Sequence, residues 1–296
     1  MKTEKAAALR LYGMGKTCGV LLAFFMLCRY GLHLSASIAG AIVLGVLLFS
    51  CAGEWLAVYQ ARGISEQCLS PAEQARLAQA RRGLEEDTGM QLHWLRLYLL
   101  PDEGRILARP YGMGRIAVTR DVLSGDQGVL RALLCHALYH SICGDPFFKR
   151  VTFVTVGVAM AALTLCSLVT VASLWLIFLL LAVVGICGKG MLSLLVMHGV
   201  SKGVKSFFSL CQRAVLLLYQ AANGMLSRSA EYRADRFVVD AGGGNGLLYF
   251  LSRFAEEGTG GQTLRELLYN SHPPKERRIA RIRQYMEETH AVYPRP

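Results

Sequence analysis

Two histidines four residues apart, His136 and His140 in the run LLCHALYHSICGD, are the first residues whose type and spacing point to chemistry. On a helix that spacing puts both imidazoles on one face, about one turn apart. There they can share a single Zn²⁺. Either histidine alone reads as an ordinary buried residue, and the pair needs support from elsewhere. The run SRSAEYRAD supplies it, because Glu231 and Asp235 again share a helical face. One serves as a carboxylate ligand, the other as an acceptor for a ligand's second ring nitrogen. The set is then His, His and Glu around one zinc ion per chain. Cys143, three residues beyond His140, is an alternative ligand as a thiolate. Asp145 and Asp240 read as a helix-end acceptor and a surface charge, and His198 as a packed or snorkelling side chain.

The elements that must position these groups are legible locally. Apolar residues recur at helical spacing from Ser124 or Asp126 to about Cys143, and Gly144 ends the run. Ser70 caps a helix to Thr88, with Pro71 at its first position and Glu73 three residues past the cap. Leu92–Leu100 and Arg115–Thr119 have the alternation and β-branched content of strands, separated by Pro101, Asp102, Gly104 and Gly112. A long helix runs from about Gly203 to Val239, followed by the turn at Gly242–Gly244 and shorter C-terminal helices.

Of the 296 residues, 53% are hydrophobic and 18% charged, too apolar for an ordinary soluble chain of this length. Thr17–His33 and Leu34–Gly53 each approach the roughly 20 residues that cross about 30 Å of hydrocarbon. Arg29 near the outer end of the first can snorkel. No charge occurs from Val151 to Gly188, a length fitting two helices joined near Ser167–Ser173, for four spans in two hairpins. The formal charge of +11 is distributed as topology demands: Lys2, Lys5, Arg10 and Lys16 precede the first span, and Lys149, Arg150, Lys189, Lys202 and Lys205 flank the later ones. No recognition motif accompanies it, so no nucleic-acid partner is expected. Nine cysteines without a CxxC pair read as packed or lipid-facing thiols in a reducing cytoplasm. The resulting plan is a basic segment and hairpin (1–56), a water-facing part with the histidine helix (57–150), a second hairpin (151–200) and a second water-facing part (201–296). Both water-facing parts lie on the cytoplasmic face, where they form one composite domain.

These features together resemble the HtpX-like membrane zinc metallopeptidases, in the broader family that includes the CAAX prenyl endopeptidases. The resemblance covers nearly the whole chain: hairpin, strand before the zinc helix, second hairpin, EYRAD helix and the late SHPPKERRI stretch. It implies a mainly α membrane protein with four transmembrane helices and a zincin-like α+β domain carrying a small sheet, in the lipid bilayer of a bacterial inner membrane. It makes His136, His140 and Glu231 the metal ligands, has Asp235 brace a ligand histidine, and sets His272 and Arg278 near the site.

The departure is at position 137. The family pattern is HExxH, and this chain has Ala137 where the catalytic glutamate stands. That glutamate takes a proton from the attacking water and returns it to the leaving amine, a contribution of about 10²- to 10⁴-fold. The chain as written is therefore expected to bind zinc and substrate and to turn over very slowly. Survival of both histidines, Glu231, Asp235 and the late motif favours an active enzyme inactivated by one substitution over natural decay. The alternative is a zinc-binding pseudopeptidase that serves as a membrane binding scaffold.

Zinc peptidases hold an extended peptide beside an edge strand, which in this family precedes the zinc helix, here about Arg109–Thr119. ARPYGMG stands where the family has NAFAxG-like residues, so Arg109, Tyr111, Arg115 and Ala117 are the candidate substrate contacts. Membrane-protein segments or a small peptide precursor are the expected substrates. A prenylated substrate fits less well, because four spans enclose no large chamber. GMGKT at Gly13–Thr17 is not a phosphate loop, since Arg10 takes the earlier glycine's place, and no GxSxG elbow occurs. A solute transporter is disfavoured by spans without central charged residues.

Overall fold

A computed structural model describes residues 2–60, 64–100, 108–112, 114–185, 190–253 and 272–292. In chain order the elements are α1 (Lys2–Met26), a π-helical turn at Leu27–Gly31, α2 (Ala36–Gln60), β1 (Ile64–Ser65), α3 (Pro71–Thr88), β2 (Arg96–Leu100), β3 (Ala108–Gly112), β4 (Arg115–Thr119), α4 (Arg120–Ser124), α5 (Gln127–Ile142), α6 (Asp145–Val183), α7 (Met191–Asp240), α8 (Gly244–Arg253) and α9 (Lys275–Val292). The chain divides into two compact units, 1–152 with 223–296, and 153–222.

The first unit is built around α5. Asp126 caps it by accepting from the Val129 N–H at 2.9 Å, and the left-handed Gly144 (φ +61°) turns the chain away at its end. Leu130, Leu134 and Leu138 of α5 meet Leu77 and Leu84 of α3 and Leu97, Leu99, Ile116 and Val118 of the sheet in one core. Each fully buried leucine there contributes about 1.5–3 kcal/mol of transfer free energy. The helix expected from Ser70 forms with its reciprocal cap: the Ser70 hydroxyl accepts from the Glu73 N–H, and Glu73 Oε2 accepts from the Ser70 N–H.

The sheet order is β1-β2-β4-β3, with β2 and β4 parallel in the centre and β1 and β3 antiparallel at the edges. Two expectations change here. Of Leu92–Leu100 only Arg96–Leu100 is strand. Before it a turn, with the Leu95 N–H donating to the Leu92 carbonyl, tucks both leucines into the core. The stretch expected to form one edge strand is a hairpin instead, so the edge is β3 alone. Arg115 and Ala117 fall on β4, whose two sides are already paired and open to no further strand. Pro101, Asp102 and Gly104 lie outside the described residues, as do Lys189 and part of the C-terminal helical region.

The second hairpin also differs. Instead of a turn near Ser167–Ser173, α6 runs unbroken for 39 residues. No Gly or Pro occurs between Val158 and Val184. The polar side chains that suggested a turn bond along the helix instead: Thr164 to the Met160 carbonyl and Thr170 to the Cys166 carbonyl. The return arm is the first part of α7, which starts well before Gly203. Within the second unit, Gln212 of α7 donates to Thr164 of α6 at 2.8 Å. Among the described residues three helices are long and apolar enough to cross a membrane, Ala6–Gly31, Ala36–Ala57 and Asp145–Val183.

The N-terminal basic segment is a packed part of the first unit. Ala6 and Leu9 lie against the core, and the Arg10 guanidinium sits over the Trp94 ring at 4.6 Å. Arg29 donates to the Leu34 carbonyl at 3.2 Å, satisfying backbone at the exit of the first helix.

Candidate metal centre

Position 136 to 140 is one turn of α5, and 231 to 235 is one turn of α7. The two turns face each other. Nε2 of His140 is 3.2 Å from Nε2 of His136, Nε2 of His136 is 3.3 Å from Oε2 of Glu231, and Nε2 of His140 is 3.5 Å from Oε1 of Glu231. Zinc bonds of about 2.0–2.1 Å in a tetrahedral site separate neighbouring ligand atoms by roughly 3.3–3.4 Å. The three separations lie close to this, the two to Glu231 ending on different oxygens of its carboxylate, and one ligand atom from each residue lies within 4.8 Å of the others, so the donor set fits one zinc with a fourth position left open. Among the described residues His136, His140 and Glu231 form the group able to hold a metal ion.

Each imidazole has a carboxylate behind it. Nδ1 of His136 is 3.1 Å from Oδ1 of Asp235, off the line of a well-aligned hydrogen bond. Asp235 is fully buried and takes two hydrogen bonds from Arg278, Nε to Oδ2 at 2.8 Å and Nη2 to Oδ1 at 2.6 Å. A third nitrogen of Arg278 reaches Oε2 of Glu231 at 3.2 Å. Nδ1 of His140 pairs with Oδ2 of Asp145 at 2.7 Å, and the other oxygen of Asp145 pairs with Nζ of Lys16. A carboxylate on Nδ1–H fixes the tautomer that turns the Nε2 lone pair toward a metal.

The electrostatics divide the histidines. Burial disfavours a charged His136, yet its contacts with Asp235 and Glu231 outweigh that and hold it up to about 9. His140 is lowered by burial and by the neighbouring His136, despite its bond to Asp145. Burial opposes the Glu231 carboxylate too, but His136, His272 and His140 bring it well below the usual carboxylate range. The proton a metal must displace therefore sits on His136.

Other sequence-derived candidates fall as follows. The Ala137 side chain is fully buried beside the ligands. His272 is two-thirds exposed and touches Oε1 of Glu231 through Nδ1 at 3.2 Å, on the open side of the site. Arg109 and Tyr111 are on the edge strand. Ser141, next to His140, ties that strand to α5 by donating to the Gly112 carbonyl and accepting from the Gly114 N–H, both at 2.8 Å. Cys143 lies outside the ligand group, and burial pushes its thiol up to about 11, so it stays protonated at neutral pH.

Sequence reasoning missed two residues. Asp145 reads as a helix-end acceptor and Lys16 as a membrane-flanking charge, yet both stand behind His140. Helical periodicity does not reveal Asp145, because Gly144 reverses the chain between it and His140. The only signal was a carboxylate immediately after a glycine that ends the histidine helix.

The sequence model of peptidase family M48 matches residues 109–286, more than half of the chain, spanning both histidines, Glu231, Asp235, His272 and Arg278. Comparison with curated proteins gives no match.

Proposed function

Because the chain belongs to peptidase family M48, whose members are zinc enzymes, we propose that it is an integral-membrane zinc metalloendopeptidase lacking its general base. The observation that carries this is the cluster of His136, His140 and Glu231, whose ring nitrogens lie 3.2 Å from each other and 3.3 and 3.5 Å from the two Glu231 oxygens. A bound zinc supplies polarisation of the scissile carbonyl and a lowered pKa for water. His136, His140 and Glu231 hold it, Asp235 and Asp145 orient the two rings, and Arg278 neutralises the buried carboxylates. Among the described residues the outer side of β3 pairs with no strand and can take an extended peptide as an added strand, and Ser141 ties β3 to the helix that carries His136 and His140. Arg109 and Tyr111 then meet alternate substrate side chains.

The site belongs on the cytoplasmic face of the membrane, with membrane-protein segments or peptide precursors as substrates. Lys16 of α1 adjoins the site, as the positive-inside rule favours. The chain leaves the first unit after Thr152 and re-enters it at Asn223. The four proposed passages are α1, α2, α6 and the first part of α7. Four passages return every ligand to one side.

Ala137 supports a second reading. Its buried methyl can move no proton, and a zinc site that holds a peptide without cutting it is a binding scaffold. Ala137→Glu separates the two. The peptidase reading expects chelator-sensitive hydrolysis of an unfolded membrane-protein or peptide substrate to rise about 10²- to 10⁴-fold. No gain, with zinc still at one per chain by elemental analysis, leaves the scaffold. No zinc in replete medium sinks both.

A further inference from the structure

The bond network behind His140 leads out of the catalytic domain's own sequence and into the first apolar helix. We infer that Lys16 of α1 is a positioning residue of the metal centre: through Asp145 it orients His140, making metal affinity depend on α1 being docked against α5. This rests on the metallopeptidase reading and adds a requirement to it.

Three observations carry the inference. Asp145 uses both oxygens, one on Nδ1 of His140 at 2.7 Å and one on Nζ of Lys16. Its side chain is 9% exposed, so a carboxylate there needs a counter-charge, and the Lys16 ammonium is in contact with it. Lys16 is itself held in place. Its ammonium lies 5.0 Å from the Tyr12 ring centroid and 5.2 Å from that of Phe148, with 14% of the side chain exposed. Finally, α1 is seated on the segment between the histidine and its carboxylate. A Cβ at Gly13 would stand 2.2 Å from the Cys143 carbonyl oxygen and 2.7 Å from its carbon. That neighbour is backbone and cannot swing aside, so the close approach requires glycine. Gly13 and Lys16, three residues apart, therefore form a single docking face, one seating the helix and the other reaching the carboxylate.

An ion pair that merely stabilised the fold would alter the protein with and without metal alike. A positioning pair alters the affinity for metal. The test uses the full chain in detergent, comparing it with Lys16→Met, Lys16→Arg and Asp145→Asn. Zn²⁺ affinity is read by chelator competition, Co²⁺ geometry from its visible spectrum, and metal-free Tm alongside. Groups that orient ligand histidines are worth about 10- to 100-fold in metal affinity. Asp145→Asn is expected within that range, Lys16→Met near its lower end, and both should change the Co²⁺ spectrum. Lys16→Arg, which keeps the charge, should stay within about threefold of the starting protein. If Lys16→Met does not fold, Lys16→Gln, which keeps a donor without charge, carries the same expectation. Affinity within about twofold and an unchanged spectrum for the Lys16 variant overturn the inference, even if Tm falls. If the unaltered chain binds no zinc, the metallopeptidase reading fails first, and this inference with it.

Discussion

His136 and His140 sit one turn apart on the same helix, yet they are braced from opposite ends of the chain. Behind His136 stand Asp235 of α7 and Arg278 of α9, and the guanidinium grips Asp235 with two bonds while also reaching Glu231. Behind His140 stand Asp145, just past the helix, and Lys16 of α1. Each brace is a carboxylate backed by a cation, but the cations differ in kind. Arg278 is a planar fork that locks two carboxylates at once, whereas Lys16 is a point charge serving one. The first brace joins the third ligand, and the second belongs to His140 alone. The local fields differ accordingly: His136 is held up to about 9, and His140 is lowered. The candidate metal site thus rests on two separate supports, one from α7 and α9 and one from the start of α6 and the apolar helix α1.

Three experiments sharpen or break this contrast. Glu231→Ala has the largest expected effect, because it removes a ligand and strips the Arg278 brace of one partner. Zinc content by elemental analysis should drop from one per chain to none, and retention of metal would remove Glu231 from the site. Asp235→Asn comes next. It should weaken Zn²⁺ binding about 10- to 100-fold, and also lower stability, because Arg278 loses the charged partner of two of its bonds and keeps only Glu231. Asp145→Asn is expected to cost less stability. Equal losses in denaturant unfolding would erase the difference between the braces. The smallest effect is on pH dependence. In the metal-free protein His136 is protonated until about pH 9, so zinc must release that proton. Affinity should then rise about tenfold per pH unit as pH approaches 9 and level off above it. The same raised pKa stabilises the metal-free fold below the unfolded value of about 6.5, and that stabilisation is lost as pH rises through about 9. Calorimetry in two buffers of different ionisation enthalpy measures the proton. Its absence would mean the two histidines titrate alike.

Much of this arrangement is legible from local pattern. His136 with His140, and Glu231 with Asp235, announce themselves because a spacing of four on a helix is a contact by geometry alone. The Ser70 cap and the Gly144 stop are equally local, since each satisfies backbone groups within a few residues. The strand at Arg115–Thr119 is readable from its β-branched content. Failures of the reading have a common form. Ser167–Ser173 looks like a turn because its polar side chains interrupt an apolar run, but in a continuous helix Thr164 and Thr170 satisfy themselves on carbonyls one turn back. Arg115 and Ala117 look like edge positions because alternation says nothing about which side of a strand is already paired.

What the sequence by itself determined is the chemistry on offer: two imidazoles and two carboxylates at helical spacing, an alanine directly after the first imidazole, and apolar lengths matched to a bilayer. Each is a property of neighbours along the chain, where covalent geometry limits the choices to a few. Tertiary structure decided the rest. It set β3 rather than β4 at an edge of the sheet, drew α6 as one helix, and brought Lys16 to Asp145 across more than a hundred residues. Such pairings depend on how whole elements pack, and a glycine such as Gly13 shows its purpose only when the backbone it admits is in place.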